Sequence, residues 1–215
     1  MTPSLLRRLP AFARDRKAVA MMEFALVLPF IVLLGFTGAE YANFVTTKMR
    51  VSQLALMVAD NGSRMGSDDN GSTAVAESDI QDTFTGAQIQ SSALNVQAKG
   101  RIILSQLEPV ASPNTTSKYK ISWQRCYGAF PHASLYGKQG DTNLAGIGPS
   151  THQVTAPDYN ATMFVEVYYV YTPLISAKLV PGLTFDEVAS MEVRDTRLLG
   201  TPIDPSNVGT GTACN

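Results

Sequence analysis

RDRKAVAMMEFALVLPFIVLLGFTGAEYA, residues 14–42, decides the architecture, because a basic cluster runs straight into an apolar segment carrying one acid. From residue 18 to residue 39 the only charged side chain is Glu23. A helix of about 22 residues at about 1.5 Å per residue is about 33 Å long, enough to cross a hydrocarbon core. The segment therefore reads as a transmembrane helix over residues 19–42. Arg7, Arg8, Arg14, Arg16 and Lys17 precede it against one acid, Asp15. By the positive-inside rule, residues 1–18 form a basic cytoplasmic leader and the chain beyond the span is exported. A secretory signal cut near Ala39, after the small residues Thr37 and Gly38, is the competing reading. It leaves Glu23 without a purpose.

A carboxylate inside an apolar helix costs about 2.5 to 3.5 kcal/mol at the bilayer centre and less near the interface, so it needs a partner or a proton. Two readings follow. Glu23 can snorkel to the cytoplasmic headgroups and pair with Lys17 or Arg16. Alternatively, a cut between Ala18 and Val19 would create an α-amino group four residues before Glu23 and make Glu23 the fifth residue of the mature chain.

The pattern of basic leader, small residue, four apolar residues, Glu, aromatic and apolar helix resembles type IV pilin-like subunits. RDRKAVAMMEFALVLP is similar to the TadE branch of the tight-adherence (Tad/Flp) pilus system, the TadE/TadG-like pilus assembly family. The resemblance is strong over residues 14–42 and diffuse beyond. It implies processing by an inner-membrane prepilin peptidase, with Ala18 before the cut and Val19 as the new N-terminus. Glu23 would then be the assembly carboxylate, pairing with the amine of a neighbouring subunit, and Phe24 the aromatic that follows it. The family usually has Gly before the cut, where this chain has Ala18. The function implied is that of a minor pilin or pseudopilin in pilus biogenesis and surface adhesion. Its partners would be membrane lipid, the peptidase, other pilin-like subunits and the assembly platform. The location implied is the bacterial inner membrane, single-pass, with the C-terminal domain periplasmic and possible entry into an extracellular pilus. The alternative is an uncut single-span protein whose periplasmic domain binds a ligand or partner.

Tyr41, Phe44, Val45, Met49, Ser52, Leu56 and Ala59 advance in steps of three or four, and Val51, Leu54, Ala55 and Val58 widen the stripe. The periodicity predicts an amphipathic continuation of the helix over residues 43–60. Pro29 removes one N–H from the ladder and predicts a kink or loosened turn over residues 25–29. Gly35 and Gly38 offer close approach to another helix. Residues 61–79, rich in Gly, Ser, Asn and Asp, read as a mobile surface loop. Within it, GSDDNGSTAVAE (66–77) places Asp68, Asn70, Gly71 and Glu77 at EF-hand loop positions. Gly66 stands where the first ligand should be Asp, so no metal is assigned.

Residues 61–215 read as one exported α+β domain. Ser78 caps a short helix from Asp79. Residues 100–110, 117–128, 161–173 and 185–197 are strands, the first two an antiparallel pair joined by the turn at 111–117. Residues 128–158 are an extended loop. The economical fold class is a long N-terminal helix packed on an antiparallel sheet, as in pilin-like subunits. Cys126 and Cys214 are the only cysteines, and export to an oxidising compartment predicts their pairing over two free thiols.

The net charge of −1 and the lack of a basic run outside the leader argue against nucleic acid. No G-x-S-x-G, H-E-x-x-H or G-x-x-x-x-G-K-[ST] pattern occurs. Gly146 and Gly148 make half a phosphate loop and read as a turn. Glu166, Asp186 and Glu187 read as solvated strand residues. The expectation is a non-enzyme without cofactor or small-molecule substrate.

Overall fold

The structure, a computed structural model, describes residues 16–69, 72–200 and 214. Most of the basic leader, and Asn70 and Gly71 of the EF-hand-like stretch, lie outside the described residues. The molecule is α+β, with one long N-terminal apolar helix and a four-stranded antiparallel sheet. Helix α1, Arg16–Ser63, is continuous for 48 residues and passes through Pro29. The chain divides into two compact units. One comprises α1 through Phe44 with the segment Pro173–Pro181; the other comprises Val45–Thr172 and Gly182–Asn215.

In the first unit every residue from 19 to 36 is exposed. This is the one helix among the described residues long and apolar enough to cross a membrane, with a mean hydropathy of 2.4 in its 18-residue window and none of that window buried. Among the described residues nothing covers the apolar side chains of this stretch, unlike those of a core helix. A Cβ at Gly35 or Gly38 would meet no atom within 4 Å, so the close-approach sites remain open.

Farther along α1, Thr47, Val51, Leu54, Ala55, Val58, Ala59 and Gly62 are buried, at helical spacing. The buried face corrects the predicted stripe. Val51, Leu54, Ala55 and Val58 form its centre, whereas Val45, Met49 and Leu56 are exposed. The apolar arc is wider than the arc that packing covers. Gly62 marks close approach to the sheet: a Cβ there would lie 3.4 Å from Leu104 and 3.6 Å from Met163.

The predicted loop at 61–79 contains a small hairpin, β1 Ser67–Asp69 and β2 Ser72–Ala74, paired antiparallel. Asp68 lies on the first strand, opposite Thr73, and Glu77 opens the helix that follows. Helix α2, Glu77–Gln90, starts earlier than Ser78 and Asp79 predict. Asp79 Oδ2 accepts the Ala76 N–H at 2.9 Å, so the acid works from inside the first turn. A single turn, α3 Val96–Lys99, leads into the main sheet.

That sheet comprises β3 Gly100–Pro109, β4 Tyr119–Tyr127, β5 Thr162–Val170 and β6 Thr184–Glu192 in the order β4-β3-β5-β6, antiparallel throughout. All four predicted strands are present within a few residues, except that the last ends at Glu192, short of 197. The 111–117 turn joins β3 to β4, with Asn114 donating to the Lys118 carbonyl and accepting its N–H.

Side chains alternate between the two faces of a strand, so one-face burial would show as alternation. Apart from half-buried Arg101, β3 is buried along its whole length, and β5 is buried at seven of nine positions. The second face is covered by the long loop after β4. Ile147 and Ala156 from that loop pack with Leu107, Ile121 and Phe164 of the sheet, flanked by Tyr136, Leu144 and Val154. Isolated bridges pair Tyr119 with Leu144 and Ile147 with Val154. The loop has little regular structure, as predicted, but it closes a core.

Candidate functional site

The residues singled out for assembly sit on the exposed part of α1. Val19, Glu23 and Phe24 lie within the unburied stretch, and the Ala18–Val19 bond falls in the first turn. Val19 and Glu23 are related as i and i+4 on one helix face.

A second acid closes the apolar run. Glu40 is fully buried, and its carboxylate accepts three successive backbone N–H groups, from Leu174 at 3.3 Å, Ile175 at 2.6 Å and Ser176 at 3.3 Å. Burying a charge is costly unless it is fully hydrogen-bonded, and here backbone dipoles do that work. The signal for Glu40 in the sequence was only its place after Ala39; the loop that receives it is 134 residues away.

No protein-family model, curated protein or solved structure matches the chain.

Among the described residues the second unit contains further buried charged groups, three of which fasten its parts. Arg125 on β4 pairs bidentately with Glu77, donating from Nε at 3.1 and 3.0 Å and also from Nη2. This fastens the first turn of α2 to the sheet, and an acid at a helix N-terminus also suits the helix dipole. Arg197 donates to the carbonyls of Gly62 at 3.1 Å and Met65 at 2.7 Å, and to Gln106 Oε1 at 3.3 Å. It thereby supplies the cation that the last turn of α1 lacks. Burial pulls its pKa down to about 10, partly offset by Asp195 and Asp79, and it stays charged at neutral pH.

The third centre overturns a sequence expectation. Glu166 is buried, not solvated, and accepts from Ser134 Oγ and from the Leu135 N–H at 2.9 Å. Burial pushes its carboxyl above the ordinary value of 4.5; the two hydrogen bonds oppose the shift, and Asp186 adds to it. Nearby, the His132 ring stacks on Tyr168 at 3.9 Å, with Nε2 3.8 Å from Asp186 Oδ1. The cavity among these groups is about 10 Å³. That is no more than one water needs, and the hydrogen bonds fasten the covering loop to the sheet; His132 and Ser134 also line a cavity of about 270 Å³ with Gln124, Lys138 and Cys214. Sequence spacing could not reveal it, since His132 and Ser134 come from the irregular region.

A larger groove of about 350 Å³ lies beside Arg50, Gln53, Leu54 and Met57 of α1, with Gln90, Ser91, Ala93 and Leu94 opposite. Cys126 and Cys214 stand at disulfide distance, with Cα atoms 5.0 Å apart, tying the C-terminal tail to β4. Among the described residues no group of three or more His, Cys, Asp or Glu is placed to hold a metal ion.

Proposed function

We propose that the chain is a structural subunit, a TadE-like minor pilin or pseudopilin of a tight-adherence pilus. On this reading it is anchored in the bacterial inner membrane, carries its domain in the periplasm and is cut after Ala18. It works by packing, not by catalysis. The observation that carries the reading is the wholly unburied apolar window of α1, with Glu23 as its one acid. Such a surface needs a solvent that is not water, and lipid or a bundle of like helices supplies one. Transfer from lipid into a filament would leave Glu23 buried, where the Val19 amine of a neighbour offsets the cost of the charge and sets the register.

Two measurements test this. N-terminal mass analysis of protein recovered from membranes is expected to give a chain beginning at Val19. Glu23→Ala is expected to leave membrane content intact, because removing a charge eases insertion, and to abolish surface piliation. Normal pilus numbers in that variant refute the role.

The groove between α1 and α2 favours a second reading, an uncut membrane protein whose periplasmic domain recruits a ligand or partner. Arg50, Gln53 and Gln90 supply polar contacts there and Leu54 and Met57 apolar ones. A mature chain that keeps its arginine-rich leader selects this alternative.

A further inference from the structure

We infer that the segment Pro173–Pro181, PLISAKLVP, is a second membrane contact, in which Leu174 and Ile175 enter the headgroup boundary of the lipid and Lys178 meets its phosphates. The inference rests on the proposal that α1 spans a bilayer. It starts from the Glu40 carboxylate, which holds the N–H groups of residues 174–176 and so fixes the segment at one level of the helix. That level is the end of the apolar run. Residue 40 lies 21 positions after Val19, about 32 Å along a helix, against a hydrocarbon core of about 30 Å.

At this depth the segment presents the wrong surface for water. Leu174 is 68% and Ile175 46% exposed, Lys178 is exposed, and the nine residues contain no acid. Aliphatic side chains beside a lone cation suit the acyl boundary and the anionic headgroups above it. The exposed aliphatic pair belongs to the same compact unit as the exposed apolar residues 19–36. The arrangement gives the burial of Glu40 a purpose. A carboxylate at the edge of the hydrocarbon is unfavourable when bare, and the three backbone donors cover it with a loop whose outer side is apolar.

The test places a nitrobenzoxadiazole fluorophore on a single introduced cysteine in the full chain, with the native cysteines left paired. The protein is reconstituted into phosphatidylethanolamine and phosphatidylglycerol vesicles carrying spin-labelled lipids of shallow or deep label position. Ile175→Cys is the test site, Leu33→Cys the mid-span control and Leu135→Cys a control on the loop after β4. The Ile175 probe is expected to shift to the blue and lose most of its emission to the shallow label, with Leu33 quenched by the deep label and Leu135 by neither. An Ile175 probe that behaves like Leu135 while Leu33 is quenched overturns the inference and leaves the span standing. Absence of quenching at Leu33 removes the span and the inference with it. Shielding of Ile175 in native envelope membranes but not in pure lipid overturns it in favour of a protein partner.

Discussion

Residues 19–36 and 47–62 belong to one continuous helix and are both rich in Ala, Val, Leu and Met, yet their surroundings are opposite. The first stretch is exposed at every position; the second buries one face, at residues 47, 51, 54, 55, 58, 59 and 62, and leaves the others exposed or half-buried. The difference lies in where the polar residues fall. In the first stretch they are nearly absent, so no face is distinguished and the whole circumference asks for an apolar medium. In the second, Lys48, Arg50, Gln53 and Asn61 mark a wet side, and the opposite side packs. Helix propensity does not separate the two, and the solvent each requires does.

The sharpest way to break this contrast is to place the same charge in each half. Val51→Asp puts a carboxylate at a fully buried position, and we expect loss of more than about 4 kcal/mol, enough to abolish cooperative melting of the full chain in detergent. Leu33→Asp, at an exposed position, is expected to leave that melt unchanged and to reduce membrane insertion, by about 2.5 to 3.5 kcal/mol on insertion scales. Equal melts for the two variants would erase the distinction.

A smaller effect is expected when the disulfide is removed. Cys126→Ser with Cys214→Ser opens a sequence separation of 88 residues, and a loss of about 2 to 5 kcal/mol is expected in thermal melts. Hydrogen exchange should then quicken in residues 47–62 and stay slow in residues 19–36 of protein held in vesicles. Equal quickening in both stretches would mean that the span also depends on the domain.

The smallest effect concerns the sheet face away from Gly62. Because burial raises the Glu166 carboxyl, the folded state holds that proton more tightly than the unfolded chain. Stability therefore falls as pH rises from about 4.5 through the raised folded value. Glu166→Gln should flatten that slope in a melt-versus-pH series and raise the neutral-pH melting temperature by a few degrees at most. A slope unchanged by the substitution would show that another group titrates there.

The four strands, their antiparallel character, the long helix and the cysteine pair were legible in the sequence, because each rests on a local period, a turn or a count of two. The loop cover over β3 and β5 was less so. GRIILSQLEP and TMFVEVYYV are not clean alternations, and their near-continuous apolar runs carried the signal for two-sided burial. Glu166 was misread because a carboxylate in a strand is usually wet, and its donors, Ser134 and Leu135, are 32 and 31 residues away. Glu23 was legible by its isolation in the apolar run; Glu40 was not, since its partners belong to a segment with no pattern of its own.

The sequence by itself determined that residues 19–39 cannot be content in water and that an α+β domain follows, because hydrophobic length and periodicity act within one element. Only the tertiary structure decided which arc of α1 is covered, and that Glu40, Glu77, Glu166 and Arg197 are buried with partners. Burial of a charge depends on donors and acceptors brought from distant parts of the chain, and no local period encodes that meeting.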